Sequence, residues 1–148
     1  MTDRDRHDVT ARARAWQTLR LAHERVAKRL DTELSRECGL VSNEFDVLLY
    51  LRTHTDEPLR ISGLLEAVPL SQPALSRLVA RLEARGLLAR SMVNDDRRAV
   101  VVGLTDSGNA LIERAMAIHA QVVHETLTGK FTDAEQAALL RTLSRVGQ

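Results

Sequence analysis

The sequence predicts a mainly α-helical fold with one small β-hairpin. Apolar residues recur every three or four positions through most of the 148-residue chain, which indicates amphipathic helices. The period changes in two valine-rich segments, residues 88–93 and 99–104, which a charged Asn-Asp-Asp-Arg turn separates and which we interpret as antiparallel strands. A hydrophobic content of 44% is sufficient for one domain with a core, and the apolar faces are long enough to favour completing that core in a dimer.

Long amphipathic helices are predicted at both ends of the chain. The N-terminal helix covers residues 9–37 and ends before Gly39, and its apolar positions are Val9, Ala13, Trp16, Leu19, Val26, Leu30 and Leu34. Thr105 caps a long helix, and Thr132 with Glu135 forms a capping box for the last one. Their inward faces are predicted to be Leu111, Ala115, Ile118 and Val122, and Leu139, Leu140, Leu143 and Val146. We therefore assign residues 1–40 and 105–148 to dimerisation and residues 41–104 to a central lobe, with one compact domain overall.

Three shorter helices precede the hairpin in the central lobe. The first covers residues 42–54 with Ser42 as its cap, and the second covers residues 62–68 and ends at Pro69. The third begins after Ser71 and ends before Gly86. It carries two stripes, an apolar one of Leu75, Leu78, Val79 and Leu82 and a cationic one of Arg77, Arg81 and Arg85.

Two helices joined by a tight turn and followed by a charged hairpin have the order of a winged helix-turn-helix, here flanked by long terminal helices. The net charge of the chain is only +1, but residues 71–103 contain six arginines and three acidic residues. Residues 41–70 contain two arginines and five acidic residues, so charge is segregated along the chain. A helix fits the DNA major groove, and an adjacent hairpin reaches the minor groove or the backbone. This pattern predicts double-stranded DNA as a partner.

Candidate DNA-binding residues follow from that placement. On the recognition helix they are Ser71, Gln72, Ser76, Arg77 and Arg81, of which Gln72 and Ser76 lie in the first turns, where base edges are read. On the hairpin wing they are Asp96, Arg97 and Arg98. The narrow minor groove attracts inserted arginine, which explains two arginines at a hairpin tip, and Asp96 pairs with Arg98 or hydrogen-bonds its own turn.

The segment D-R-R-A-V-V-V-G-L-T-D-S-G, residues 96–108, resembles the DxR…LTxxG wing signature of the MarR family of bacterial transcription regulators. Asp96, Arg98, Leu104, Thr105 and Gly108 occupy the signature positions, and residues 70–88 resemble the recognition helix of that family. The resemblance implies a homodimer with interlocked terminal helices that binds a pseudo-palindromic operator and responds to a small aromatic or amphipathic ligand. Pro69 and Gly63 depart from the family pattern next to the recognition helix.

The sequence also bears on two other classes of function. A winged helix that binds proteins rather than DNA is the main alternative, although it would not need an outward row of arginines. An enzyme is not expected, because the sequence contains no Gly-rich phosphate loop, no HExxH and no GxSxG. No cofactor is implied, and the five histidines show no metal-ligand spacing.

Three features outside the DNA-binding segments have more than one interpretation. Trp16 and Phe45 are either core residues or the lining of an effector crevice. Cys38, the single cysteine, is favoured as a structural thiol over a redox sensor. A charged N-terminus and the absence of a long apolar run predict a cytoplasmic protein with no membrane segment.

Overall fold

The computed structural model describes residues 3–54, 59–93 and 96–146, and the side chains of residues 10–54, 59–91 and 101–146. The chain divides into two compact units. We call Glu33–His119 the central unit, and Met1–Thr32 with Ala120–Gln148 the terminal unit. No described helix is both long enough and apolar enough to cross a membrane.

The described residues form six α-helices and three β-strands. In chain order these are α1 (Asp3–Cys38), α2 (Ser42–Thr53), β1 (Leu59–Arg60), α3 (Ile61–Ala67), α4 (Gln72–Ala84), β2 (Leu88–Val93), β3 (Asp96–Leu104), α5 (Asp106–Thr126) and α6 (Asp133–Leu143). A single 3-10 turn, Thr128–Lys130, lies between α5 and α6. The predicted mainly helical fold class is confirmed.

The first helix ends where the sequence predicts, although it begins at Asp3, six residues earlier than expected. Gly39 follows it with a φ of 62°, a left-handed conformation that glycine adopts without steric cost. The amide of Gly39 donates to the carbonyl of Ser35 at 3.0 Å, and the amide of Leu40 donates to that of Leu34 at 3.3 Å. These two bonds satisfy carbonyls that the end of α1 leaves without helical partners.

The N-cap of α2 was predicted wrongly. Val41, not Ser42, occupies the cap position, and Ser42 is the first helical residue. Val41 has no side-chain acceptor, but its own amide donates to Glu44 Oε2 at 3.3 Å. The apolar pattern of α2 predicts an inward face of Phe45, Leu48, Leu49 and Leu51. Phe45, Leu48 and Leu51 are buried, together with Val47 and Glu44, whereas Leu49 is only half-buried. The polar stretch from Thr53 to Pro58, which the sequence predicts to be a loop, falls largely on residues 55–58, outside the described residues.

The β-sheet contains one strand more than predicted. Its order is β1-β3-β2, and β3 is antiparallel to both neighbours. Leu59 and Arg60 pair with Val102 and Val101, so the short β1 covers the edge of β3 that the hairpin leaves free. A two-residue strand is too short to give an alternating pattern, which is why the sequence predicted only the hairpin.

A three-residue turn joins the two helices before the wing. The amide of Leu70 donates to the carbonyl of Val68 at 2.8 Å, which places Pro69 at the centre of a γ-turn. Proline suits this position because its ring holds φ near the value that the turn requires, and it has no amide to leave unpaired. Pro69 therefore makes the turn tight, in the place where the sequence departs from the family pattern.

The end of α4 and the start of α5 meet at the carbonyl of Leu87. The amide of Thr105 donates to this carbonyl at 3.1 Å, and the Thr105 hydroxyl donates to the carbonyl of Gly86 at 2.6 Å. The same hydroxyl accepts from the amide of Gly108 at 3.0 Å, which confirms Thr105 as the cap of α5. A Cβ at Gly108 would lie 2.1 Å from the Leu87 oxygen, so this position has room only for glycine.

In the terminal unit, apolar side chains that were predicted to point inward are exposed. The capping box of α6 is confirmed, and the Thr132 amide and hydroxyl lower the pKa of Glu135 by hydrogen bonding to its carboxylate. However, Leu140 is 64% exposed, Val146 is 78% exposed, and Leu143 is also exposed. Trp16 of α1, predicted as a core or crevice residue, is 64% exposed, so its assignment to the core of a single chain is wrong.

We expect Gly108→Ala to lower the free energy of unfolding by at least about 2 kcal/mol, because the added methyl group overlaps the Leu87 carbonyl and the backbone must shift. Urea denaturation at a fixed protein concentration measures the change.

Gly63→Ala is the matched control, since its Cβ would meet only a Leu59 methyl at 3.9 Å. The control should be neutral or stabilising by up to about 1 kcal/mol, because alanine favours a helix over glycine. Equal stability of the two variants would contradict the close contact at Gly108.

Candidate nucleic-acid interface

The N-terminus of α4 is built as the sequence predicts. Ser71 occupies the N-cap in extended conformation, and its hydroxyl accepts from the amide of Ala74 at 3.4 Å. Pro73 lies in the first turn, where its missing amide removes no helical hydrogen bond. Gly86 follows the helix with a φ of 70°. The ends of the predicted recognition helix are thus confirmed.

The helix separates an apolar face from a polar one. Leu75, Leu78, Val79 and Leu82 are buried, in agreement with the sequence pattern. All five candidate DNA-binding residues on this helix and its cap are exposed, namely Ser71, Gln72, Ser76, Arg77 and Arg81. Among the described residues, Arg77 has no carboxylate within ion-pair distance, so its charge faces outward without compensation.

The three arginines of the predicted cationic stripe, Arg77, Arg81 and Arg85, are all exposed, but they differ in their partners. Arg85 Nη1 donates to Glu44 Oε2 at 3.2 Å, and Arg85 Nη2 donates to the carbonyl of Gly39 at 3.1 Å. Arg81 Nε lies 3.6 Å from Glu44 Oε1. Arg85 therefore ties the end of α4 to the segment between α1 and α2, and Arg77 and Arg81 remain as the outward cations.

Glu44 is a site residue that the sequence does not reveal, because an acidic residue near the start of a helix is already explained by the helix dipole. Its side chain is 8% exposed, and it shares the buried face of α2 with Val47 and Leu48. One signal was present: the apolar positions of α2 recur around Glu44, which places it on the buried face. A buried carboxylate requires cationic or hydrogen-bonding partners, and α4 supplies them.

The wing is anchored to α4 by an ion pair. Arg90 Nε of β2 lies 3.0 Å from Glu83 Oε2 of α4. In the backbone pairing of β2 with β3, Met92 pairs with Val100, but the next residue, Val93, pairs with Asp96. The register therefore shifts at this point, and residues 97–99 of β3 have no partner position on β2. This irregular segment differs from the tight charged turn that was predicted, because β3 begins at Asp96 rather than Ala99.

The wing candidates Asp96, Arg97 and Arg98 lie in β3 by their backbone. Their side chains, and the turn residues Asn94 and Asp95, are outside the described residues. A pairing of Asp96 with Arg98 thus stays a prediction, as does the contact of either arginine with the minor groove.

The two candidate effector residues differ in their surroundings. Phe45 is buried, and its ring stacks on His119 of α5 with centroids 4.9 Å apart and an interplanar angle of 10°. Burial lowers the pKa of His119, and the carboxylate of Asp46 opposes this shift. Desolvation raises the pKa of Asp46 in turn. Trp16 is exposed on the part of α1 that belongs to the terminal unit.

Cys38 is buried at the end of α1. Burial raises the pKa of its thiol, although the charge of Arg114 opposes the shift. A protonated, covered thiol is a poor nucleophile, which supports the structural interpretation over the redox one. Among the described residues, no group of three or more His, Cys, Asp or Glu side chains is arranged to hold a metal ion.

A cavity of about 310 Å³ lies on the opposite side of α2 from Glu44, within the central unit. Four residues of α2, the last residue of α3 and two of the α3–α4 connection line it: Asp46, Leu49, Tyr50, Thr53, Ala67, Val68 and Pro69. Neither Trp16 nor Phe45 is among these described lining residues. The volume is at the lower end of the range for small-molecule sites.

Comparison with known proteins agrees with this architecture. Residues 39–99 match the model of the MarR family. The chain is 33% identical over 127 residues to the HTH-type transcriptional regulator PecS of Dickeya dadantii, covering 82% of this chain and 75% of PecS.

Two solved structures are also similar. Sco3205 of Streptomyces coelicolor, a MarR family regulator in complex with DNA, matches with a TM-score of 0.82 and 26% identity over 90% of this chain and 83% of that one. BpsR of Bordetella bronchiseptica, whose DNA binding is regulated by 6-hydroxynicotinic acid, matches with a TM-score of 0.77 and 29% identity over 89% of this chain and 91% of that one. With an exposed recognition helix, a wing and the LTxxG junction in place, this chain belongs to the MarR family of DNA-binding transcription regulators.

Proposed function

We propose that this regulator is a homodimeric repressor that binds a pseudo-palindromic operator and is released from it by a small aromatic or amphipathic ligand. The observation that carries the proposal is the outer face of α4, which presents Gln72, Ser76 and Arg77 to solvent beside a hairpin wing. A capped, anchored helix with unpaired polar groups on its outer face suits insertion into the major groove.

The residues of this face are assigned different tasks. Gln72, Ser76 and Arg77 lie in the first two turns of α4, where a recognition helix reads base edges, and glutamine suits adenine while arginine suits guanine. Ser71 and Arg81 suit phosphate contacts, which position the helix without reading sequence. Arg97 and Arg98 suit the minor groove, which offers mainly charge and width.

Dimerisation is supported by the terminal unit, where apolar side chains are exposed in the single chain. Those on α1 are Trp16, Leu19 and Leu21, and those on or just after α6 are Leu140, Leu143 and Val146. A helix whose apolar face is uncovered gains little from folding, so a second copy that covers these faces would stabilise both. A two-fold axis then relates two recognition helices, and each reads one half-site about 10 base pairs from the other.

Ligand response is supported by the cavity behind α2 and by the regulation of BpsR by 6-hydroxynicotinic acid. Val68 and Pro69 line the cavity and also form the turn that leads into α4. A ligand that fits only one position of this turn would favour one placement of α4 and so alter operator affinity. Trp16 and Phe45 stay candidate crevice residues by prediction alone.

A winged helix that binds proteins instead of DNA is the alternative to this proposal. The outward charge of Arg77, which has no ion-pair partner among the described residues, and the similarity to the DNA-bound Sco3205 both favour DNA. Selection of bound sites from a random DNA pool distinguishes the two, since a protein-binding module enriches no sequence.

We expect Gln72→Ala or Arg77→Ala to weaken binding to the selected operator by about 1–3 kcal/mol and to relax preference at one position of each half-site. Arg97→Ala should instead weaken binding across all sequences and reduce the slope of log affinity against log salt by about 1. Fluorescence anisotropy on matched and mismatched sites at several salt concentrations measures both quantities. Unchanged affinity and slope for Arg97→Ala and Arg98→Ala would mean that the wing is not a DNA-binding element.

We expect the protein to sediment as a dimer at micromolar concentration. Leu140→Glu combined with Leu143→Glu should produce monomers, because two carboxylates cannot be buried at an apolar interface without partners. Gln136→Glu, a charge change at an exposed polar position of α6, is the control and should remain dimeric. A well-folded wild-type monomer in analytical ultracentrifugation would contradict the proposal.

We expect a heteroaromatic or phenolic acid, such as 6-hydroxynicotinic acid or salicylate, to raise the melting temperature and lower operator affinity. Ala67→Trp should abolish both effects by filling the cavity, whereas Ala110→Trp, at an exposed position of α5, should respond like the wild type. Thermal shift and anisotropy titrations provide the two measurements. A response that survives Ala67→Trp would place the ligand elsewhere.

A further inference from the structure

A buried carboxylate lies beneath the cationic face of α4. Glu44 of α2 is 6% exposed, and its two oxygens face different arginines, Arg81 of α4 and Arg85 at the C-cap of that helix. Oε2 accepts from Arg85 Nη1 at 3.2 Å and from the amide of Val41 at 3.3 Å. Oε1 lies 3.6 Å from Arg81 Nε. All four residues belong to the central unit.

Arg85 neutralises this carboxylate and uses both of its terminal nitrogens inside the protein. One terminal nitrogen bonds Glu44, and the other bonds the carbonyl of Gly39 at 3.1 Å. An arginine with both terminal nitrogens bonded inside the protein must give up those bonds to turn its fork toward DNA. Its charge cancels that of Glu44, so the pair leaves the charge of Arg81 intact toward the solvent.

Arg81 is held differently, because only its Nε side approaches Glu44. The Arg81 side chain is 57% exposed, and neither of its terminal nitrogens has a hydrogen-bond partner among the described residues. A guanidinium group is planar, so attraction of its Nε side toward Glu44 turns the opposite edge away from Glu44. That edge carries the two parallel N–H groups that bind a phosphate in a bidentate manner.

We propose that Glu44 is a positioning residue for DNA binding: it orients the Arg81 guanidinium for a bidentate phosphate contact, while Arg85 serves as its internal counter-charge and does not touch DNA. This inference rests on the proposed function of α4 as the recognition helix. It adds a residue of α2 that makes no DNA contact of its own and acts through Arg81.

A double-mutant cycle between Glu44→Gln and Arg81→Ala tests the inference, with anisotropy on the selected operator at several salt concentrations. In the wild-type background, Arg81→Ala should weaken binding about 10-fold and reduce the salt slope by about 1. In the Glu44→Gln background, the same change should cost about 2-fold or less, because an unoriented Arg81 already contributes little. Additive effects would overturn the proposal, and so would tighter binding by Glu44→Gln alone.

Glu83→Gln is the matched control. Glu83 also pairs with an arginine of the central unit, Arg90, and the substitution removes the same negative charge as Glu44→Gln. In the Glu83→Gln background, Arg81→Ala should still weaken operator binding about 10-fold. This result would distinguish orientation of Arg81 by Glu44 from a general effect of removing one negative charge. Arg77→Ala, measured alongside, reports on the proposed function itself. If neither Arg77→Ala nor Arg81→Ala changes operator affinity, α4 is not the DNA-binding helix. If both weaken binding but the effects of Glu44→Gln and Arg81→Ala are additive, α4 binds DNA and Glu44 does not position Arg81.

Arg81→Lys keeps the inference testable if Glu44→Gln does not fold. Lysine retains the charge but cannot face Glu44 and also present a two-pronged edge to phosphate. We expect Arg81→Lys to keep the wild-type salt slope but to bind the operator more weakly than the wild type, since the charge remains and the bidentate contact is lost. Binding equal to that of the wild type would overturn the inference.

Discussion

The contact between the Leu87 carbonyl and the start of α5 is the constraint on which the DNA-binding unit depends. One oxygen accepts the Thr105 amide, and the absence of a side chain at Gly108 lets α5 approach it. The contact joins the end of α4 to the end of β3 and so closes the wing into a loop of fixed geometry. This contact explains the Leu-Thr-x-x-Gly part of the wing signature. Thr105 caps α5, and Gly108 leaves room for the Leu87 carbonyl.

Charged side chains in the central unit are arranged in layers from the interior to the surface. An acidic side chain lies in the interior at Glu44, two arginines surround it, and Arg77 and Arg81 extend outward from the same helix. Isolated burial of Glu44 would be strongly unfavourable, so the carboxylate and Arg85 stabilise each other's placement. The same ion pair crosses from α2 to α4 and, through the Gly39 carbonyl, to the end of α1. The recognition helix is therefore held at its C-terminal end by polar contacts and along its length by leucine packing.

The terminal unit presents the opposite situation, with apolar side chains that the single chain leaves exposed. Capping of α6 is complete, with Thr132 and Glu135 in reciprocal hydrogen bonds, yet none of the described α6 side chains is buried. Good caps specify where a helix begins and ends, but they contribute only about 1 kcal/mol each. Stable packing of α6 needs another surface, which is why the proposed function includes a second copy of the chain.

Local rules in the sequence determined most element types and several ends. Gly39 and Gly86 terminate helices in the left-handed conformation, and Ser71, Thr105 and Thr132 cap them, because these effects involve residues within four positions of each other. The apolar stripe of α4 was likewise predictable from its period, and a family signature of five residues indicated the class of function.

Tertiary structure alone decided how the charged residues are used. Arg77, Arg81 and Arg85 look equivalent in sequence, since they share one spacing and one residue type. Their roles diverge because Glu44, 41 positions before Arg85, is brought beneath only two of them. The strand β1 and the exposure of Trp16 and Leu140 were likewise decided by tertiary structure and not by local sequence. Pairing and burial depend on which distant segments meet, and a periodic pattern identifies an apolar face without identifying what covers it.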